Sequence, residues 1–277
     1  MKTKTSVSKI IWSLVYIILI CLWLYPLLYA LASSFKPLAE MFARPLSLLP
    51  QQPSLDNYRE LFQRLPFKNI IFNTLFIAAL ATFIKLVVAF FAAYGLNYYE
   101  FKSKKIVYLI LISSVFIPYS VRVLPNYLFM IRTNLFDSLW GVILAELADA
   151  SGILILLQSM RNIPSSIIES AKLDNIKDGL IMKDIVFPLV RPQFISIAIW
   201  FFVGSMNEYL WPSIIIKSKE NYTLPQALQM FISAEVGIDF PILMAITVVT
   251  IAIPVILYLI FRKQIIATFS LKSKEAK

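Results

Sequence analysis

The chain has 277 residues, of which 59% are hydrophobic and 15% charged, with a formal net charge of +10, and its mean hydropathy is +0.75. A water-soluble domain carries about a quarter charged residues, so the polar surface here is too small for a water-facing globule and a membrane protein is indicated. The single cysteine, Cys21, excludes an intrachain disulfide or a thiolate zinc site, and the absence of histidine excludes imidazole relays and imidazole metal sites.

Six apolar runs are long enough to cross about 30 Å of hydrocarbon, which takes about 20 helical residues. They are approximately Ile10 to Ala32, Ile70 to Leu96, Ile106 to Met130, Leu139 to Met160, Gln193 to Ile216 and Pro241 to Arg262. The expected fold is an all-α membrane protein, a single transmembrane domain over residues 1–277 with six transmembrane helices. The first run follows Lys2, Lys4 and Lys9 but is too long for a signal-peptide core and leads to no small-residue cleavage site, so it reads as a retained anchor. Pro37, Pro45, Pro50, Pro53 and Pro66 bar a regular helix over residues 33–69, although a short one fits around Leu55 to Gln63.

Basic residues set the orientation. With the N-terminus inside, Lys and Arg on the inner side outnumber those on the outer side two to one, which places both termini in the cytoplasm. Positive-inside topology and anionic lipid account for the net charge, and its spread over loops rather than in one stripe argues against nucleic-acid binding.

Between the fourth and fifth runs lies a polar insert, Ile163 to Pro192. Ser166 and Glu169 form an S-x-x-E capping box, and Glu169 lies where a helix N-terminus favours negative charge. Ile167, Ile168 and Ala171 offer apolar side chains to a partner or to the membrane. Asp174-Asn175 then breaks the helix, and Asn is the non-Gly residue that best tolerates a left-handed turn. Ile176, Leu180 and Phe187 space out the apolar side of a second helix that ends before Pro188. A plain amphipathic connector shares these features singly; their conjunction at fixed offsets favours a docking element.

Five ionisable residues fall inside the runs: Lys85, Arg122, Glu146, Asp149 and Glu208. Each costs roughly 2.5 to 3.5 kcal/mol at the bilayer centre on insertion scales, which makes each a functional candidate. Glu146 and Asp149 are three apart on one helical face and either line a polar path or pair with Lys85 or Arg122 to fix packing. Asn207-Glu208-Tyr209, between Gly204 and Trp211-Pro212, suits an interrupted helix facing a cavity. None of the six glycines is followed by Lys, so the chain has no G-x-x-x-x-G-K-[ST] phosphate loop and ATP is handled elsewhere.

Glu169, Ala171, Asp174, Ile185, Pro188 and Leu189 fit a loop pattern of Glu-Ala-Ala, then Asp-Gly, then Ile-x-x-Pro-Leu, with Ser170 and Asn175 as mild departures. Other short motifs keep a fixed order: Ser34-Phe35-Lys36-Pro37 with Glu40, Asn57-Tyr58, Asn73-Thr74, Ala92-Ala93-Tyr94, Leu135-Phe136-Asp137-Ser138 with Gly141, Asn207 to Pro212, and Thr223-Leu224-Pro225. On these residues the chain resembles the permeases of ABC importers, in the carbohydrate or maltose-type branch, and the shorter of its two permease subunits. Met206 stands where Trp often precedes the Asn, and no glycine follows Gly237, where the family's tail usually has some.

The resemblance implies a transmembrane subunit of an ATP-driven importer for sugars or oligosaccharides, multi-pass in the cell membrane, itself without enzymatic activity or cofactor. Its implied partners are a second permease subunit, a cytoplasmic ATPase dimer and an extracytoplasmic solute-binding protein. Residues 163–192 would be the coupling loop, with Glu169, Ser170, Ala171, Lys172, Asp174 and Asn175 toward the ATPase, whose closure would drive alternating access. Asn207, Glu208, Tyr209, Glu146 and Asp149 would lie on the solute path. Two alternatives stay open: an ABC importer for another solute class, or a secondary transporter, for which matching internal halves are missing.

Overall fold

Sustained apolar runs with so few charges form helices, and no strand occurs among the described residues of the computed structural model, which cover 7–147, 149–232 and 239–274. Lys2, Lys4, Gly237 and Lys277 lie outside them. In chain order the helices are α1 (Val7–Ser33), α2 (Leu38–Ala43), α3 (Asp56–Arg64), α4 (Phe67–Tyr98), α5 (Lys104–Val115), α6 (Tyr119–Arg132) and α7 (Leu139–Glu146). There follow α8 (Ser151–Arg161), α9 (Ser165–Leu173), α10 (Asp178–Leu180), a π-helical stretch Ile181–Val186, α11 (Phe187–Met206), α12 (Leu210–Ile215), α13 (Leu224–Met230) and α14 (Phe240–Lys274).

Four helical stretches are long and apolar enough to cross a membrane, and six spans result when each bent pair is counted as one. The bent pairs are α5 with α6, at 101°, and α7 with α8, at 42°. Pro118 causes the first bend: it lacks an N–H, biases Ile117 away from helical geometry and starts α6 in its own fixed φ of −58°. Helix α1 has 27 residues, or about 40 Å of rise. From Ile10 to Leu28 its apolar side chains stand exposed all round, Trp23 at 80%, a state stable only in lipid or against another subunit.

Packing divides the chain into two compact units, Met1–Lys68 with Pro225–Ile253, and Asn69–Leu224 with Pro254–Lys277. In the first, the proline-rich segment closes on its own motif residues. Lys36 is fully buried, bonding the Ser47 carbonyl and, at 3.0 Å, Ser47 Oγ, with the Tyr29 ring 5.7 Å away. Asn57 Nδ2 donates to the Ser34 and Lys36 carbonyls at 2.8 and 2.9 Å, and Ser34 Oγ meets the Tyr58 hydroxyl at 2.8 Å. Lys36 is therefore a buried tether of the proline-rich segment and not a solvated loop charge.

In the second unit, Asn73 Nδ2 donates to the carbonyls of Glu220 and Tyr222, and Thr74 Oγ1 accepts from the Leu224 amide at 2.8 Å, so two distant motifs fasten each other. One core joins Leu86, Ala89, Ala93, Leu156 and Phe201 to Ile168, Ala171, Ile181 and Val186 of the polar insert. The second joins Ile77, Met130, Val142, Ile143, Trp211 and Ile215.

The insert departs from expectation in three ways. Helix α9 starts at Ser165 with Pro164 as its N-cap and no side-chain cap bond. Ser166 therefore lies inside the first turn, where its hydroxyl cannot close a capping box. Ile168 and Ala171, expected to face outward, are each 5% exposed and belong to the protein's own core, whereas Ile167 remains exposed. The second helix does not stop before Pro188. Helix α10, the π-helical stretch and α11 run on without a break, and Pro188 is accommodated just after the wider π turn, where the regular hydrogen-bond ladder is already altered. The turn itself is as read: Asn175 has φ 55°, its amide bonds the Lys172 carbonyl at 3.0 Å and the Ile176 amide bonds that of Ala171 at 3.1 Å. Those two bonds make a Schellman C-cap with Asn in the left-handed position.

Candidate functional site

All five ionisable residues of the apolar runs, separated by up to 123 positions in sequence, line one cavity of about 400 Å³ in the second unit. Three helix interruptions bring them there. Ser114, Val115, Tyr119 and Arg122 flank the bend between α5 and α6; Glu146 and Asp149 flank the gap between α7 and α8; Gly204, Ser205 and Glu208 flank the gap between α11 and α12. Irregular backbone at membrane depth is tolerated where it is enclosed by protein or lines a polar cavity.

Two of the three interruptions are stabilised by carboxylates that also line the cavity. Asp149 Oδ1 accepts from the Ser151 amide at 3.0 Å and from the Ser151 hydroxyl, capping the start of α8. Glu208 Oε1 accepts from the Trp211 amide at 3.2 Å, capping α12, and the buried Trp211 indole donates to the Gly141 carbonyl at 3.1 Å. Gly141 is required there, since a Cβ would lie 2.3 Å from the Leu135 carbonyl oxygen.

Lys85, on α4, reaches into the cavity wall. Its ammonium stands 3.5 Å from Glu146 Oε2 and 4.9 Å from the centre of the Phe201 ring, and the two charged side chains are 8% and 11% exposed. Phe201 in turn packs on Gly152, where a Cβ would meet the ring at 2.6 Å. Arg122 lies 5.7 Å from the Tyr119 ring. The cavity therefore combines two cations, three carboxylates and the aromatic faces of Tyr119, Trp200, Phe201 and Trp211. Such a lining offers hydrogen-bonding groups to hydroxyls and flat apolar faces to sugar rings.

Of the residues assigned to the solute path, Glu146, Asp149 and Glu208 line this cavity; Asn207 and Tyr209 do not, and are exposed. Asn207 is the C-cap of α11, and Glu208 follows it in the non-helical break. The pairing of Glu146 with Lys85 also occurs, so path-lining and packing are combined in one residue. Sequence reading passed over Ser114, Asn126 and Ser205, whose only signal was a small polar side chain within an apolar run.

Elsewhere, Glu169, Ser170, Lys172, Asp174 and Asn175 are exposed and Ala171 is buried. The insert is tied to the end of α4 through Asp178, whose Oδ2 accepts from the Tyr99 hydroxyl at 2.7 Å. That bond to a carboxylate holds the Tyr99 hydroxyl proton and raises its pKa above the ordinary phenol value. Among the described residues no cluster of Cys, Asp or Glu is placed to hold a metal ion.

Residues 85–267 match the family described as binding-protein-dependent transport system inner membrane component. The arabinooligosaccharides transport system permease protein AraQ of Bacillus subtilis is 31% identical over 266 residues, covering 95% of this chain and 94% of the relative. The sn-glycerol-3-phosphate transport system permease protein UgpE of Brucella melitensis is 22% identical over 268 residues, covering 94% and 95%. Among solved structures, a chain of a bacterial ABC transporter involved in the import of the acidic polysaccharide alginate superposes with a TM-score of 0.81 at 20% identity, over 93% of this chain and 98% of that one.

Proposed function

The chain belongs to the family of binding-protein-dependent transport system inner membrane components, and from that premise we propose that it is the transmembrane subunit of an ATP-driven importer for sugars or oligosaccharides. The observation that carries this reading is the cavity at three helix breaks, in which every ionisable residue of the apolar runs meets four aromatic side chains. The similarity to AraQ across nearly the whole chain favours an oligosaccharide as solute. Glu146, Asp149 and Glu208 act as its hydrogen-bond acceptors, with Asn207 and Tyr209 at the margin.

In this reading residues 1–277 form one permease domain with both termini in the cytoplasm, as the basic-residue bias indicates. The partners are a second permease subunit, a cytoplasmic ATPase dimer and an extracytoplasmic solute-binding protein. Helix α9 couples transport to the ATPase. Ile168 and Ala171 fix it to the permease core, while Glu169, Lys172 and Leu173, the last 82% exposed, point outward to dock. Because α10 continues into α11, a movement of the loop passes directly along the helix that carries Ser205 and reaches Glu208. Closure of the ATPase pair thereby opens and closes the cavity.

Co-purification of the tagged chain should recover an ATPase and a second permease, and uptake by cells carrying the system should require ATP hydrolysis and favour oligosaccharides over sn-glycerol-3-phosphate. A cysteine at Lys172 should crosslink to the ATPase and resist a membrane-impermeant thiol reagent added outside. Glu169→Lys should abolish uptake at normal membrane levels of the chain. Labelling of the Lys172 cysteine from outside would overturn the topology, and uptake by the chain alone without ATP would overturn the importer reading.

A further inference from the structure

A second cavity, of about 500 Å³, lies where α4 ends, α5 begins and α8 ends, away from the site described above. Lys102, Lys104, Lys105 and Arg161 line it, against a single carboxylate, Glu100. Glu100 is already engaged by Lys104 at 2.7 Å, so the cavity keeps a surplus of three positive charges. Arg161 is held with its guanidinium 5.2 Å from the Tyr108 ring, which orients it without neutralising it.

The helix geometry sharpens the surplus. Lys104 and Lys105 occupy the first turn of α5, which contains no acidic residue and whose N-cap, Ser103, makes no side-chain cap bond. Cations at a helix N-terminus oppose the helix dipole, whereas an anion there is favoured both by the dipole and by the amide groups of the first turn. Three cations gathered at such an end are an arrangement that an anion stabilises.

We propose that this pocket holds the phosphate of an anionic phospholipid headgroup. The argument for a lipid over a soluble phosphate lies in what adjoins the charges. Beyond Lys105, α5 presents Ile106, Leu109 and Ile110 at 61%, 61% and 62% exposure, an apolar flank along which acyl chains can lie while the headgroup sits among the cations. The pocket also stands at the end of the 32-residue apolar helix α4, at the level where hydrocarbon gives way to headgroups.

The test is native mass spectrometry of the purified, assembled complex titrated with phosphatidylglycerol, phosphatidylcholine or inorganic phosphate. Wild type should retain phosphatidylglycerol in preference to phosphatidylcholine. Lys102→Gln, Lys105→Gln and Arg161→Gln combined should weaken that binding roughly a hundredfold, at about fivefold per cation near a membrane surface. The charge-keeping Lys102→Arg/Lys105→Arg should bind as wild type, and so should Lys217→Gln/Lys219→Gln, which removes two charges elsewhere. Equal retention of the two lipids, or undiminished phosphatidylglycerol binding in the triple variant, would overturn the proposal. Displacement of the lipid by millimolar inorganic phosphate would assign the pocket to a soluble anion instead.

Discussion

Asp137 and Glu146 stand at opposite ends of the short helix α7, and their surroundings differ in kind. The Asp137 carboxylate accepts from the Lys217 amide at 2.9 Å, the Ser218 amide at 3.1 Å and the Ser218 hydroxyl at 2.8 Å, and its own amide bonds the Ile215 carbonyl at 2.9 Å. Burial raises its pKa, but these hydrogen bonds outweigh burial and leave it below the ordinary carboxylate value. Glu146 instead has one cation, Lys85, at 3.5 Å, and a cavity in front of it. A carboxylate closed onto backbone amides locks a connection between segments, and a carboxylate facing one cation at a cavity wall is the kind of group that the proposed solute path would use. The same contrast separates Lys36 and Asn57, bonded to carbonyls and a hydroxyl of their own segment, from Glu208 in the cavity wall.

The contrast breaks first, if it breaks, at Lys85. Lys85→Met leaves the Glu146 carboxylate in a wall where it is 11% exposed and should cost about 3–5 kcal/mol, read as a lower unfolding temperature and less assembled complex. Lys85→Met/Glu146→Gln should regain most of that stability, since it removes both charges together. A single variant as stable as wild type would mean that the cavity solvates Glu146 by itself.

Asp137→Ala should cost less, about 1–3 kcal/mol and toward the lower end because the site is only partly buried, while uptake per assembled complex stays unchanged. The pH dependence has a definite sign. A depressed folded-state pKa gives stability that is fully present above the unfolded-state pKa and is lost as pH falls through the folded value. The stability gap between wild type and Asp137→Asn should therefore narrow on acidification below the ordinary carboxylate range. A pH-independent gap would show that Asp137 acts through shape rather than charge.

This division between closed and open polar groups explains what the sequence made legible. The helical fold followed from composition, and the break at residues 207–209 from a polar triplet ahead of Trp211-Pro212. The turn at Asn175 followed from the left-handed tolerance of Asn, now visible as φ 55°. What was hidden is tertiary. No local pattern says that Lys36 folds inward, that Ser166 misses the cap because α9 starts two residues earlier with Pro164 as its cap, or that Ile168 faces the chain's own core. Nor does spacing reveal that Lys85 and Glu146, 61 positions apart, meet, because helix direction in the bundle decides which polar faces converge. The motifs that carried the resemblance proved mostly to be closed groups, so they report the scaffold more than the solute.

The open groups should be felt in transport before stability. Glu208→Gln keeps an oxygen able to accept from the Trp211 amide, so α12 stays capped and assembly stays normal, while removal of the charge should lower uptake per assembled complex roughly tenfold, the size of one hydrogen bond to a charged group. Asn207→Ala should matter less, because Asn207 is exposed and absent from the cavity lining. Equal losses in both variants would move the solute path toward Asn207. Unchanged uptake in both would leave Glu208 a helix cap and no more.

The smallest expected effect belongs to Asn175, a closed group whose two backbone bonds end α9. A β-branched residue pays a steric penalty in the left-handed region, so Asn175→Val should destabilise this turn by about 1–2 kcal/mol, whereas Asn175→Gly should be neutral or slightly stabilising. Global unfolding should barely move, because Ile168 and Ala171 hold α9 to the core independently of the turn. The loss should instead appear as faster hydrogen exchange at the Asn175 and Ile176 amides, which bond Lys172 and Ala171. If α9 transmits motion from a docked partner, a loosened turn should also raise ATP hydrolysed per solute imported in Asn175→Val, with Asn175→Gly at the wild-type ratio. Faster exchange with an unaltered ratio would make the turn a structural stop, and coupling would then run through the continuous path from α10 into α11.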